Sequence, residues 1–299
     1  MLFSTGAANE KLRAAVFALA LLFPPLGFAT AQTGKPPRST PESPQEACDR
    51  PVGEPVDVTD VTAHLELKLA DKRLIRIAGI EPARATPSDP QLAEKARADL
   101  ALWTVGAQVA LTALDPAVDR WGRERARAFL APEQLSLAQA LIEAGWARVD
   151  PLSETSPCLK SLLQAEAGAR ADQHGLWADP AYAPLDQAQD PDFSSVAGRI
   201  ALVSGVVANV NAGRARTFIN LGRNRQNSLT LTVSARNLKA FTAAGLDPKS
   251  LTGKTIQARG LIDTRFGPRM ELHAPGALEI LKDAASDGWH PAVPATPKP

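Results

Sequence analysis

The sequence predicts a mainly β protein with helices, an α+β arrangement in two small units. Three observations predict it. Short runs of alternating apolar and polar residues recur between Leu65 and Leu272, the period-two pattern of half-buried strands. Segments of helical spacing interrupt them, three in the first half and one in the second. A stretch rich in Pro, Asp and Gln, 183–194, separates two regions of opposite net charge. The 299 residues suffice for two modest cores, and 44% apolar with 22% charged residues is ordinary for a globular chain.

The first unit, 56–182, reads in order. Leu65 to Ile80 alternates on both sides of a turn at Ala70-Asp71-Lys72 and forms a hairpin. Gln91 to Thr104 has helical spacing, Gln108 to Ala113 is a strand, and Arg125 to Leu130 is another after the turn Asp119-Arg120-Trp121-Gly122. Ser136 caps a second helix that ends at Gly145 before a short strand, Trp146 to Val149. A third helix, Leu159 to His174, stops at Gly175. After the 183–194 linker, the second unit, 195–282, is nearly all strand: Arg199 to Val210, Thr217 to Leu221, Leu229 to Val233, Thr255 to Asp263 and Arg269 to Leu272. One helix, Ala235 to Ala244, follows the third strand, an OB-type barrel order.

The ends carry different signals. Lys11 and Arg13 precede an apolar run, 14–28, broken by Pro24-Pro25 and followed by Ala29-Thr30-Ala31. This pattern predicts a signal peptide, 1–31, and a secreted or periplasmic mature protein. Residues 32–55 lack the apolar content for a core and read as a disordered arm, as does the tail 283–299. In an oxidising compartment Cys48 and Cys158 make at most one bridge, tying the arm to the third helix. Sequence does not give their separation, so two unpaired thiols remain the alternative.

Charge is asymmetric. Residues 32–194 hold 17 Lys and Arg against 25 Asp and Glu, and residues 195–282 hold 13 against 4. The basic half either holds a polyanion or docks on the acidic half. Arg214, Arg216, Arg223 and Arg225 flank its second strand, with Phe218 or Phe266 as a stacking face for nucleic acid.

Four pieces of the first unit resemble the thermonuclease, or staphylococcal-nuclease, family. They are Ile75-Arg76-Ile77-Ala78-Gly79-Ile80-Glu81-Pro82, the turn Asp119 to Arg123, the helix Ser136 to Gly145 with Trp146-Ala147, and Ala165-Glu166-Ala167 with Gly175-Leu176-Trp177. The resemblance implies an OB-fold barrel of thermonuclease type with three helices, and the second unit is similar to a small bacterial OB-fold barrel. It further implies a Ca²⁺-dependent nuclease acting on DNA or RNA, with Arg76 and Arg123 as the two phosphate-clamping arginines.

The acids depart from the family pattern. Leu65 stands at the first metal carboxylate, Glu81 at the second, and Arg84, or Ala83 with one deletion, at the general base. Pro82 keeps a carbonyl for a metal, and Glu66 reaches the site only if a bulge re-aims it. Ca²⁺ takes about 6–8 oxygen ligands, so a lost carboxylate weakens such a site. The four histidines, 64, 174, 273 and 290, lack metal-ligand spacing. The first reading is therefore an exported thermonuclease-family protein that binds, and in the full family pattern cuts, nucleic acid. The second is a non-catalytic envelope binding or scaffold protein with a protein or glycan partner. A hydrolase with a rearranged, Ca²⁺-independent site is the third.

Overall fold

Alternation in the sequence becomes two curled sheets. The structure is a computed structural model that describes Cys48 and residues 51–119, 121–154, 156–222 and 227–281. The expected signal peptide, the tail 283–299, Arg223, Arg225 and His290 lie outside the described residues. Among the described residues, no helix is long and apolar enough to cross a membrane.

The first sheet holds β1 (Val56–Val61), β2 (Leu67–Leu69), β3 (Leu74–Ile77), β5 (Gln108–Val118), β6 (Glu124–Leu130) and β7 (Leu135–Ser136). β4 (Ile80–Pro82) instead pairs with β8 (Ala147–Val149). β1 pairs with both β2 and β5, β5 with β6, and β6 runs parallel to β3. β2 and β3 are antiparallel neighbours, which closes a five-stranded barrel β1-β2-β3-β6-β5. Its alternating inner residues are buried, among them Leu67, Ile75, Ile77, Val109 and Ala126. Helix α1 (Leu92–Thr104) buries Leu92, Ala96 and Leu100 at the helical repeat and α2 (Leu137–Glu143) buries Leu137, Leu141 and Ile142. Ser136 caps α2 by accepting from the Gln139 backbone N–H, as its sequence position predicts. Helix α3 (Ser156–Ala171) packs on α2 and β8.

Two glycines allow close approach. Gly79, at φ +82°, turns the chain from β3 into β4, and a Cβ there would meet Leu162 at 2.5 Å. Gly145, at φ +71°, lies so near the end of α3 that a Cβ would meet the His174 carbonyl at 2.1 Å.

The second sheet repeats the strand order. β10 (Ile200–Val206) and β11 (Asn209–Ala212) are two halves of one stretch broken at Val207-Ala208. With β12 (Arg216–Asn220), β13 (Thr230–Ser234), β14 (Thr255–Asp263) and β15 (Arg269–Leu272), they give the order β11-β12-β13-β15-β14-β10. β13 and β15 are parallel, as are β3 and β6 in the first barrel. Helix α4 (Ala235–Ala243) follows the third barrel strand of this unit, and in the first unit α1 comes after the third barrel strand, β3, with the short β4 between them.

Several sequence boundaries change. Residues 183–194, expected as a linker, contribute β9 (Leu185–Asp186), which pairs with β10, and bury Phe193 in the second core. β16 (Leu278–Ile280) adds to β14, and its short run gave no clear period. The arm expected over 32–55 is anchored at its end: the Gly53 N–H donates to the Leu111 carbonyl, and Cys48 is disulfide-bonded to Cys158. The hairpin starts later than its alternation suggests. Residues 62–66 form a turn around Thr62, whose hydroxyl accepts from the His64 and Glu66 N–H groups, and Leu65 is left-handed at φ +56°.

The two sheets lie in one compact unit and meet through buried charge. Glu166 on α3 accepts from the Val149 N–H at 2.8 Å and from both terminal nitrogens of Arg259 on β14. The Arg259 guanidinium also donates to the Val149 carbonyl. Leu202 of β10 joins the first core. Glu166 is 1% exposed, so removing its partner strands a carboxylate in a low-dielectric interior. Arg259→Ala is expected to cost about 3–5 kcal/mol of stability, the usual penalty for breaking a buried pair. Urea denaturation followed by circular dichroism checks it, and a loss under about 1 kcal/mol, the range of surface pairs, contradicts it.

Candidate nucleic-acid interface

An open cleft of ≈ 590 Å³ lies on the first barrel. It is lined by residues 63–66 of the turn, the end of β3, β4 and the segment after it, Ala93 of α1, and Arg123 just before β6. The charged and titratable residues in its lining are His64, Glu66, Arg76, Arg84 and Arg123. The two arginines expected to clamp phosphate thus share one cleft.

Arg76 sits on β3, where it is 35% exposed. Its nearest carboxylate is Asp150, 3.6 Å away and buried in the turn after β8. At that distance the pair is an ionic contact without a hydrogen bond. Arg123 is held more firmly. Asp119 accepts from its backbone N–H at 3.1 Å and from Nε at 2.8 Å, and Glu66 accepts from Nη1 at 2.6 Å. Its guanidinium lies 4.8 Å from the Trp121 ring centre. Burial alone would raise the Asp119 carboxyl. The Arg123 side chain and the backbone N–H groups of Arg123 and Trp121 outweigh it and hold Asp119 below the usual carboxylate range. The hydrogen bond to Asp119 raises Arg123 further above its already high value.

The expected metal acids do not meet. Leu65 is 2% exposed and turns its side chain into the core. Glu66 is in the cleft, as an expected ligand should be, but both its oxygens are engaged, one by Arg123 and the other by the Thr62 hydroxyl at 3.1 Å. Glu81 corrects the sequence expectation most clearly. In β4, Ile80 and Pro82 line the cleft, so the residue between them points to the other face. There Glu81 stands directly opposite Arg148 of β8 and accepts from its Nη2 at 2.7 Å. The same nitrogen donates to the Ile200 carbonyl of the second sheet, also at 2.7 Å. Arg148 further lies over the Tyr182 ring, at 4.8 Å.

Arg84, at the base position, is 62% exposed and lines the cleft. A guanidinium stays protonated in water and cannot accept a proton from an attacking water. Its nearest acid is Glu81, at 3.4 Å. Its N–H donates to the Tyr182 hydroxyl at 2.7 Å, and Asp179 ties down the following segment through Thr86 and Ser88. Among the described residues, no group of three or more His, Cys, Asp or Glu side chains is placed to hold a metal. The residues present therefore do not fit the Ca²⁺ site that the resemblance implies. Sequence reading gave no role to Arg148, Asp150 or Arg259; strand parity at Ile80-Glu81-Pro82 was the available signal for the first.

On the second sheet, Arg214 and Arg216 are exposed and Phe218 is half-buried beside them. Arg216 pairs with Glu271 at 3.3 Å. Phe266, on the loop between β14 and β15, is largely exposed.

Residues 73–179 match the sequence model of the staphylococcal nuclease homologue family. That region carries a nuclease-fold domain, and its range takes in Arg76, Glu81, Arg84 and Arg123 but not the 62–66 turn. No curated protein matches the chain.

A bound cation stabilises the folded state by mass action, by about 2.7 kcal/mol at a hundred times its dissociation constant. Millimolar Ca²⁺ is accordingly expected to leave the melting temperature where excess chelator leaves it. A rise with Ca²⁺ in differential scanning calorimetry would show that the carboxylates rearrange to bind it.

Proposed function

We propose that this is an exported nucleic-acid-binding protein whose nuclease-type cleft holds a strand by its phosphates and does not cut it. One observation carries the reading: Arg76, Arg84 and Arg123 line one cleft whose acids are buried, turned away or ion-paired. Hydrolysing a phosphodiester needs a cation on a phosphate oxygen, a base for the water and donors for the developing charge. The cleft retains the donors. Planar guanidinium groups suit bidentate contact with phosphate oxygens, which supports the binding half of the expectation.

The basic second unit extends the surface. Read as an OB-type barrel, it offers Arg214 and Arg216 to a backbone and Phe218 to a base. Arg223 and Arg225 belong to the same stretch by sequence. A glycan-binding reading draws support from one feature, the exposed amides Asn209 and Asn211 and the half-buried Asn220, linked by hydrogen bonds at 3.0 and 2.7 Å next to Phe218. The leader pattern in residues 1–31 supports export.

Incubation of the mature protein with single-stranded DNA and RNA separates the readings. The expected result is retention of the strand and no shortening, with Ca²⁺ or with chelator. Affinity should fall linearly with the logarithm of salt, and Arg76→Ala should weaken it about tenfold and flatten the slope by about 0.7, the loss of one phosphate contact. Cleavage that requires Ca²⁺ overturns the non-cutting part. No binding to either nucleic acid, with retention of a polysaccharide, moves the function to the glycan reading.

A further inference from the structure

We infer that the second unit positions one wall of the first barrel's cleft: Arg199 braces Tyr182 and Asp179, and these two residues hold segment 83–89. Arg199 and Tyr182 are thus positioning residues of the site, whichever ligand the cleft takes.

The wall needs such support. Between β4 and α1, residues 83–89 form neither helix nor strand, yet Ala83 and Thr86 are buried, and Ala83, Arg84 and Ala85 line the cleft. Irregular backbone at a buried site is fixed by the partners its polar groups find. Here those partners come from far along the chain. The Ala83 N–H donates to the Trp146 carbonyl at 2.9 Å. The Arg84 N–H donates to the Tyr182 hydroxyl at 2.7 Å, and that hydroxyl lies 3.4 Å from the Arg84 carbonyl. Asp179 accepts from the Thr86 and Ser88 hydroxyls, and the Thr86 hydroxyl accepts from the Asp89 N–H at 2.9 Å. The turn 179–182 is therefore the support on which the wall is laid.

That support is braced from the second unit. Tyr182 is 3% exposed, and the Arg199 guanidinium lies 5.5 Å from its ring centre, opposite in sequence to Arg148 of the first barrel at 4.8 Å. Both distances fall inside the range of about 6 Å for a cation–π contact. Arg199 is itself locked to β14: the Ile262 N–H donates to its carbonyl at 3.0 Å, and the Gly198 N–H donates to the Ile262 carbonyl at 2.8 Å. Arg199 also bears on Asp179. Burial raises the Asp179 carboxyl, and the Thr86 hydroxyl, the Ala181 N–H, the Ser88 hydroxyl and the Arg199 charge outweigh it and hold the group below the usual carboxylate range. An ionised carboxylate accepts from both wall hydroxyls. One guanidinium of the second unit thus reaches both anchors of the wall. The barrels are tied elsewhere by Glu166 with Arg259 and by Arg148 with the Ile200 carbonyl, so removing the Arg199 charge leaves them docked.

Hydrogen exchange followed by mass spectrometry on the ligand-free mature protein tests the assignment. Tyr182→Phe keeps the ring and removes the acceptor, and exchange across 83–89 should rise about fivefold, the loss of one hydrogen bond. Arg199→Gln should raise exchange in the same segment about threefold or more, although it changes a residue of the other unit. Arg199→Lys keeps the charge and should restore most of the protection. Arg216→Gln, which removes a second-unit charge paired with Glu271 at the surface, should leave 83–89 as it is. Peptides from α1 and β13 should exchange as in the unsubstituted protein throughout. Unchanged exchange at 83–89 in Tyr182→Phe or in Arg199→Gln would overturn the inference. So would equal effects of Gln and Lys at 199, or a rise spread evenly over the chain, which would make Arg199 a general stabiliser. None of these outcomes bears on whether the cleft binds nucleic acid.

Discussion

The cross-strand pairing of Glu81 with Arg148 governs what the cleft is able to do. The register of β4 against β8 sets these two residues opposite each other, on the face away from the cleft. A carboxylate placed there, with a guanidinium at 2.7 Å, is held as a structural counter-ion. Desolvation makes the arrangement costly to undo, since freeing Glu81 would leave Arg148, 5% exposed, without its charge partner. Arg148 in turn reaches the second sheet through the Ile200 carbonyl. The position that the resemblance reads as a metal ligand is therefore spent on joining the two halves of the molecule.

The same logic recurs at Glu166, which takes Arg259 and the Val149 N–H together. The buried Glu166–Arg259 pair and the hydrogen bond from Arg148 to the Ile200 carbonyl tie the sheets, and the Tyr182 ring centre lies 4.8 and 5.5 Å from the Arg148 and Arg199 guanidinium groups. This answers part of the charge asymmetry along the chain. Some of the basic half's excess meets acids of the first half, at Glu166, and some stays on the surface at Arg214 and Arg216. The nuclease-fold domain is consequently built to be read with its neighbour, and its cleft chemistry depends on that docking through Glu81.

Local patterns were legible in the sequence because local physics makes them. The hairpin around Asp71, the Ser136 cap, the glycine stops at 145 and 175, and the placing of Arg76 and Arg123 all follow from periodicity, turn chemistry and motif. What was not legible depends on pairing across long distances. Arg259 meets Glu166 across 93 residues, and no local pattern indicates it. The facing of Glu81 needed the existence of β4, a three-residue strand too short to show a period. Leu65 belongs by alternation to a strand, yet the Thr62 hydroxyl gathers the backbone of 62–66 into a turn and sets Leu65 left-handed. That turn puts Glu66 beside Arg123, an outcome that strand parity alone argues against. The segment 183–194 looked like a linker because its composition is polar, while its one large apolar residue, Phe193, fixes it to the second core.

The central claim is that the cleft of the first barrel binds phosphate with arginines and without a metal. A crystal structure of the mature protein with a short single-stranded oligonucleotide, grown in Ca²⁺, tests it most directly. The account predicts phosphate density in contact with the Arg76, Arg84 and Arg123 guanidinium groups, an intact strand, and Glu81 still paired with Arg148. Density for a cation coordinated by Glu66 or Glu81, or a cleaved strand in the cleft, would contradict it.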